Sequence, residues 1–298
     1  MGESKRRDLK LEEVSENQAS GEVAETYARI KETLQTNVVN LVWRVFATKP
    51  RFLATAWDEM DPAVDRGFLA AADGIRALAI ERVREATPVP DHRGLLGDDI
   101  HQALQELRVF LEVNPRLLIL LCALRRSWHE GEVGGTRPAT PAERKVPDWH
   151  PEIETASSPH GELKGTLEDM TEVLDLPSPN TDYLALAKWP EYLNTAWLDL
   201  RVFVGTEAWQ DAATTVDWVA EQSAMALPSK IRVSPKRAAE LGLEAREVEE
   251  VGTWIEMFHG LLPGLIFNTS YFWIGMEGGV RPLNLAQRGE EPVEKAAG

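Results

Sequence analysis

Two polar residues stand out against apolar surroundings. Asp182 lies in 180-NTDYLALAKWP-190, between a Pro-rich turn and an apolar helical run, and Asn114 lies in 114-NPRLLILLCAL-124, directly ahead of Pro115. An aspartate with an ordinary pKa of about 3.9 is charged at neutral pH and can accept a proton from water. It is a weak base, and burial beside apolar side chains raises its pKa toward the working range. An asparagine beside it can hold the same water from a second side and fix its line of attack. Each residue also has a purely structural reading. Asp in Asn-Thr-Asp is a good helix N-cap, and Asn before Pro is a common turn residue.

Other chemistries find little support. The sequence has no GxGxxG, no phosphate-binding Walker loop and no GxSxG. Its histidines are His92, His101, His129, His150, His160 and His259, and none forms HExxH or another helical pair, so no metal site is expected. The one cysteine, Cys122, rules out an internal disulfide, a CxxC centre and a cysteine-based zinc site. It lies in an apolar run, reads as inert core, and fits a reducing cytoplasm. A net charge of −16, from 32 basic and 48 acidic residues, argues against nucleic acid and anionic membrane surfaces as partners. It also means that an anionic substrate needs a local cationic or N–H-rich spot. The start of the chain has no apolar h-region, so no secretory signal is expected. The longest clean apolar run, 117-LLILLCAL-124, is too short to span a bilayer and reads as buried helix.

The elements that must position these residues are helical. Strand alternation is weak throughout, whereas helical periodicity recurs. In 44-RVFATKPRFLATAWDEM-60, Thr48 suits a cap and Pro50 a first turn, with Phe52, Leu53, Ala56, Trp57 and Met60 on one face. Leu104, Leu107, Val109, Phe110 and Leu111 form a second apolar stripe. Asn114 is expected at the start of the apolar helix that follows. The Trp residues read as core.

The chain repeats itself. Shifted by 140, residues 21–57 lie on 161–197 without a gap and share 12 of 37 residues, among them Asn40/Asn180, Pro50/Pro190 and Trp57/Trp197. Chance alone gives roughly one identity in sixteen. A weaker match at offset 144 places 109–121 near 253–265. The fold class expected is therefore all-α, built as two tandem homologous helical repeats that form an intramolecular pseudo-dimer. The division is a flexible N-terminal segment 1–14, repeat one 15–135, a Gly/Pro-rich linker 136–158, repeat two 159–285 and a flexible tail 286–298. Residues shared by both copies are most economically structural, so site chemistry should lie where the copies differ. Asp182 faces Val42 at offset 140, and Asn114 faces Phe258 at offset 144. They come from different copies and can meet only at the seam.

The stretches 20-SGEVAETYARIKETL-34, 44-RVFATKPRFLATAW-57, 114-NPRLLILLCAL-124 and 181-TDYLALAKWP-190 resemble the group I 2-haloacid dehalogenases, the DehI family, over about residues 15–280. The resemblance implies an all-α pseudo-dimer with its site between the repeats. It implies cofactor-free hydrolysis of short 2-haloalkanoic acids, D and L, to 2-hydroxy acids. In that chemistry a water attacks C2 directly with inversion, and no ester forms on the enzyme. The family's catalytic aspartate falls on Asp182 and its helper asparagine on Asn114. Thr181, at the start of the Asp182 helix, and Phe258 fall on substrate-binding positions. The columns of Val38 and Leu41 carry aromatic residues in other members, and Phe258 lacks the hydroxyl of a family tyrosine, so the pocket is expected to differ in shape. The partners implied are a 2-halocarboxylate and water in the cytoplasm, with a homodimer left open. The alternative is a diverged small-carboxylate-binding protein on the same scaffold. A helical peroxidase of the AhpD type is excluded by the missing CxxC.

Overall fold

The computed structural model describes residue 6, residues 9–156 and residues 159–280. The tail 286–298 and most of residues 1–8 fall outside the described residues. Helix dominates what is described, and the strand content is two short pairing segments.

The first half contains α1 (Gly21–Thr33), α2 (Leu41–Phe46), α3 (Pro50–Met60), α4 (Arg66–Ala86) and α5 (Ile100–Glu130). The second contains α6 (Gly161–Val173), α7 (Thr181–Leu186), α8 (Pro190–Arg201), α9 (Glu207–Met225), α10 (Pro235–Glu240) and α11 (Ala245–Glu277). The local causes are visible in the sequence. Pro50 and Pro190 open α3 and α8, where a missing N–H costs nothing. Asp65 Oδ1 accepts the Phe68 N–H at 2.8 Å and starts α4. Gly131 and Gly278 end the two longest helices at φ 97° and 118°.

The first three helices of each half start 140 residues apart. The match extends to backbone detail. Gln35 and Asp175, which follow α1 and α6 at the same offset, are the two non-glycine residues with positive φ among those described, at 49° and 50°. Such a conformation is rare outside glycine and asparagine.

Two local expectations are corrected. Lys49, not Thr48, is the N-cap of α3, and the Thr48 hydroxyl instead donates back to the Val45 carbonyl at 2.7 Å. Asn114 does not begin a helix. α5 runs straight through Asn114 and Pro115 from Ile100 to Glu130. Proline inside a helix leaves the carbonyl four residues earlier, here Leu111, without its usual donor. Deep packing holds the helix continuous: Val109 to Leu124 are all buried. α11 likewise carries Pro263 internally.

α5 and α11 pack against each other along their lengths and form the spine, with α4 and α9 laid on them. One hydrophobic core runs through both halves. Val133–Gly134 pairs antiparallel with Lys230–Ile231, tying the end of α5 to the second half. The chain ahead of α1 lies on this body: Leu9, Leu11 and Val14 pack against the core, and the Tyr27 hydroxyl donates to the Val14 carbonyl at 2.7 Å. Among the described residues no helix is long and apolar enough to cross a membrane.

Candidate active site

Asp182 and Asn114 meet in a small cavity between α2, α5, α7 and α11. Asp182 is the second residue of α7. The N-cap of that helix is Asn180, so capping does not explain the aspartate. Asp182 Oδ1 accepts the Tyr183 N–H at 3.2 Å, and Oδ2 accepts from Asn114 Nδ2 at 3.5 Å. Both side chains are almost fully buried, each at 2% exposure. The second contact lies at the long limit of a hydrogen bond, so it holds the two groups together only weakly.

The walls explain the electrostatics. α5 contributes Phe110 and Leu117 beside Asn114, α2 contributes Leu41 and Val42, and α11 contributes Phe258, Leu261, Leu262 and Leu265. Burial among these side chains pushes the Asp182 carboxyl up to about 7, against partial relief from its own and the Tyr183 N–H and from Asn114. A carboxylate in this range is half ionised near neutrality and a far better proton acceptor than an exposed one. The cavity volume is about 30 Å³, room for a water or two.

The other sequence candidates separate. Thr181 and Phe258 both line the cavity. Leu41 does too, whereas Val38 packs one layer back with Val109, Phe110, Val113 and Ala185. No histidine lines this cavity.

Several neighbours were not singled out by sequence. Arg44 Nη2 reaches Thr181 Oγ1 at 3.5 Å, and its Nε lies 3.3 Å from the Glu13 carboxylate. The Tyr183 hydroxyl is held by Asn268 Nδ2 at 3.1 Å, and Trp209 Nε1 donates to Asn268 Oδ1 at 3.1 Å, which fixes the ring next to Asp182. Asn40 and Asn180 also line the cavity. The asymmetry test that selects Asp182 selects two of these as well, since Arg44 faces Leu184 at offset 140 and Asn268 faces Leu124 at offset 144.

Cys122, Asp217 and His259 bring donor atoms within 4.8 Å of one another away from the cavity. Burial disfavours a charge on His259, but Asp217 at 3.0 Å, Cys122 and Glu221 at 3.5 Å outweigh it and raise its pKa to about 11. The group is a charge-paired histidine among acids. Burial also pushes the Cys122 thiol up to about 11, so the sulfur is unreactive.

Known proteins share this chain's sequence and shape. The model of the family described as "Halocarboxylic acid dehydrogenase DehI" matches residues 37–159. An (R)-2-haloacid dehalogenase of Pseudomonas putida is 28% identical over 273 residues, spanning 87% of this chain and 90% of that protein. A configuration-inverting 2-haloacid dehalogenase of Alcaligenes xylosoxydans xylosoxydans is 28% identical over 195 residues, covering 61% of this chain and 65% of its own. The solved complex of a D-2-haloacid dehalogenase with L-LA superposes with a TM-score of 0.85 at 26% identity, over 90% of this chain and 97% of that one.

Proposed function

The chain belongs to the DehI family, and from that premise we propose that it is a hydrolase of short 2-haloalkanoic acids, D and L, yielding 2-hydroxy acids with inversion at C2. The observation that carries the reading is the buried Asp182 carboxyl, poised near neutrality and paired with Asn114 inside an otherwise largely apolar cavity. Asp182 takes a proton from the water that Asn114 orients. The water oxygen bonds to C2 as the carbon–halogen bond breaks, and the halide leaves with the bonding electrons. Halide is a good enough leaving group to need no general acid. Thr181, with Arg44 behind it, marks the end of the cavity suited to the substrate carboxylate. Phe258 and the leucines of α11 bound the alkyl group. A site that activates water, rather than attacking with the protein, can approach C2 of either enantiomer.

The same reading gives the scaffold its logic. The two halves form an intramolecular pseudo-dimer whose seam is the cavity: Asn114 and Val42 come from repeat one, 15–135, and Asp182 and Phe258 from repeat two, 159–285. The 140-residue spacing of α1–α3 and α6–α8 supports this.

The test is halide release from D- and L-2-chloropropionate. Asp182→Asn should reduce it by at least a hundredfold, the lower range for loss of a general base, with the helical spectrum intact. In a single turnover in heavy-oxygen water, label should enter the product directly. Label appearing first in the protein would mean an ester on a carboxylate and would sink the direct-attack mechanism.

A further inference from the structure

A second small cavity adjoins the Asp182 cavity and shares Asn180, Leu261 and Leu265 with it as a common wall. Gly260, Gly264 and Asn268 form another side, at four-residue spacing along one face of α11. Trp209 closes on that face, and a Cβ at Gly264 would stand 2.5 Å from its ring. Two donors here are unspent. Asn180 is more than nine-tenths buried, at 6% exposure, and its Nδ2 has no hydrogen-bond partner. Tyr183 also lines the cavity. Its hydroxyl accepts from Asn268 Nδ2 at 3.1 Å, and its own proton has no acceptor among the described residues. Arg6 lines the solvent side, with its side chain 33% exposed, and its Nε lies 3.5 Å from Asp175. The matched places in the first half are solid core. Tyr183 faces Trp43 at offset 140, and Gly264 and Asn268 face Leu120 and Leu124 at offset 144, all three fully buried.

A buried donor without a partner is costly, and a ligand that accepts from it removes the cost. Two such donors in a cavity lined by no carboxylate select an anion. Resting on the dehalogenase reading above, we propose that this adjoining cavity is a halide site, which takes the released ion from the Asp182 cavity across the Asn180 wall and passes it to solvent. A monatomic anion needs only N–H and O–H donors, and a buried one is tolerated only where it finds them. Asn180 Nδ2 and the Tyr183 hydroxyl supply two, and the leucines around them suit a polarisable ion. Asn180 stands on the common wall and so meets the ion as it crosses. Arg6 marks the way out, and its pairing with Asp175 leaves no net charge there to trap the ion. The halide arrives after the carbon–halogen bond has broken, so the site makes no demand on where the halogen lies in bound substrate. Clearing it serves the next turnover. Asp182 must lose the proton taken from water, and an anion left beside it would oppose that ionisation.

The probe is bromide. Crystals of the wild type soaked in sodium bromide should show the ion's anomalous signal within hydrogen-bond reach of Asn180 Nδ2 and the Tyr183 hydroxyl, and a cavity without bromide overturns the site. In solution, added bromide should lower kcat on 2-chloropropionate with little change in KM, because ion and substrate occupy different cavities. Tyr183→Phe deletes one donor and keeps the ring. Asn268→Leu fills the cavity as Leu124 fills the matched place in the first half. Each should weaken bromide inhibition roughly tenfold or more, the lower range for a hydrogen bond to a charged group, while inhibition by 2-hydroxypropionate stays within about twofold. Thermal unfolding is measured for both variants. Bromide inhibition that competes with substrate, that neither variant weakens, or that falls only together with inhibition by the hydroxy acid overturns the halide site while the dehalogenase reading stands. A wild type that releases halide from neither 2-chloro- nor 2-bromopropionate overturns that reading and the exit role with it. The bromide soak needs no turnover and still decides whether the anion site exists.

Discussion

Replacing Asp182 by asparagine should destroy activity and at the same time stabilise the protein, but only above a defined pH. The burial that lifts the carboxyl from 3.8 to about 7 is a cost of ionising it in the fold. The gap is roughly three, and each step is worth about 1.4 kcal/mol, so the ionised group disfavours the native state by up to about 4 kcal/mol. The sign follows from proton counts. Between pH 4 and 7 the native state keeps this proton longer than the unfolded chain does, so wild-type stability falls as pH rises through that window. Below pH 4 the group is protonated in both states and the cost vanishes. Asparagine is nearly isosteric with the protonated acid. It can still accept the Tyr183 N–H, and Asn114 needs only to turn its amide. The stability difference, variant minus wild type, should therefore be near zero at pH 4, rise through pH 5 to 7 and level off at about 2 to 4 kcal/mol. Urea unfolding followed by circular dichroism at one-unit pH intervals measures it, and taking the difference cancels the other titrating groups. In thermal terms the plateau is about 4 to 8 °C, at about 2 °C per kcal/mol for a chain of this size. A variant less stable than wild type at pH 8, or a difference that does not change with pH, would refute the claim that desolvation sets the state of this acid.

Two further outcomes follow from the same geometry. The kcat/KM profile should rise with unit slope and reach a plateau as pH passes about 7, because the free enzyme's base must be ionised. The limb in kcat should lie higher, because a bound carboxylate raises the Asp182 pKa further. A flat profile from pH 5 to 9 would remove Asp182 as the base. The phenylalanine and leucine walls of the cavity should make the enzyme intolerant of chain length, with kcat/KM falling about tenfold or more per added methylene beyond 2-chloropropionate, the lower range of discrimination at the edge of an apolar pocket. Leu265→Ala, which removes bulk from the α11 wall, should move that fall to longer substrates. An unchanged length profile in this variant would mean that α11 does not bound the alkyl group.

The helical character and the buried position of Asp182 on the cavity wall were legible in the residues because each leaves a local trace. Period-3.6 patterning marks a buried face, and a lone acid opposite Val42 breaks an otherwise matched pair. What the sequence hid lay in two kinds of place. Asn114 looked like a helix start because proline usually marks one. Only the burial of α5 on α11 reveals that the helix passes straight through. Asn40 and Asn180 escaped because identity between the halves reads as structural, and a cap is a ready explanation for asparagine. Their side chains turn out not to cap, which only coordinates can show. Arg44 and Asn268 differ from their mates at Leu184 and Leu124. Their relevance depends on the approach to Thr181 and Tyr183 across more than 80 residues of chain.

Val42 explains how the cavity keeps a single acid. It lines the cavity at the position that matches Asp182, almost fully buried at 1% exposure. A second carboxylate there would face the first across a space that admits a water or two. Like charges so close cannot both ionise in an apolar chamber, so the pair would share one proton and the more acidic member would be tuned away from water activation at neutral pH. Valine avoids that. It leaves desolvation to act on Asp182 alone, which holds the acid near neutrality without a charged partner. It also keeps that wall of the cavity apolar, which the proposed mechanism uses for carbon and halogen. In the proposed mechanism water enters on one side and the leaving group departs on the other, and that direction rests on the difference between Val42 and Asp182 across the cavity.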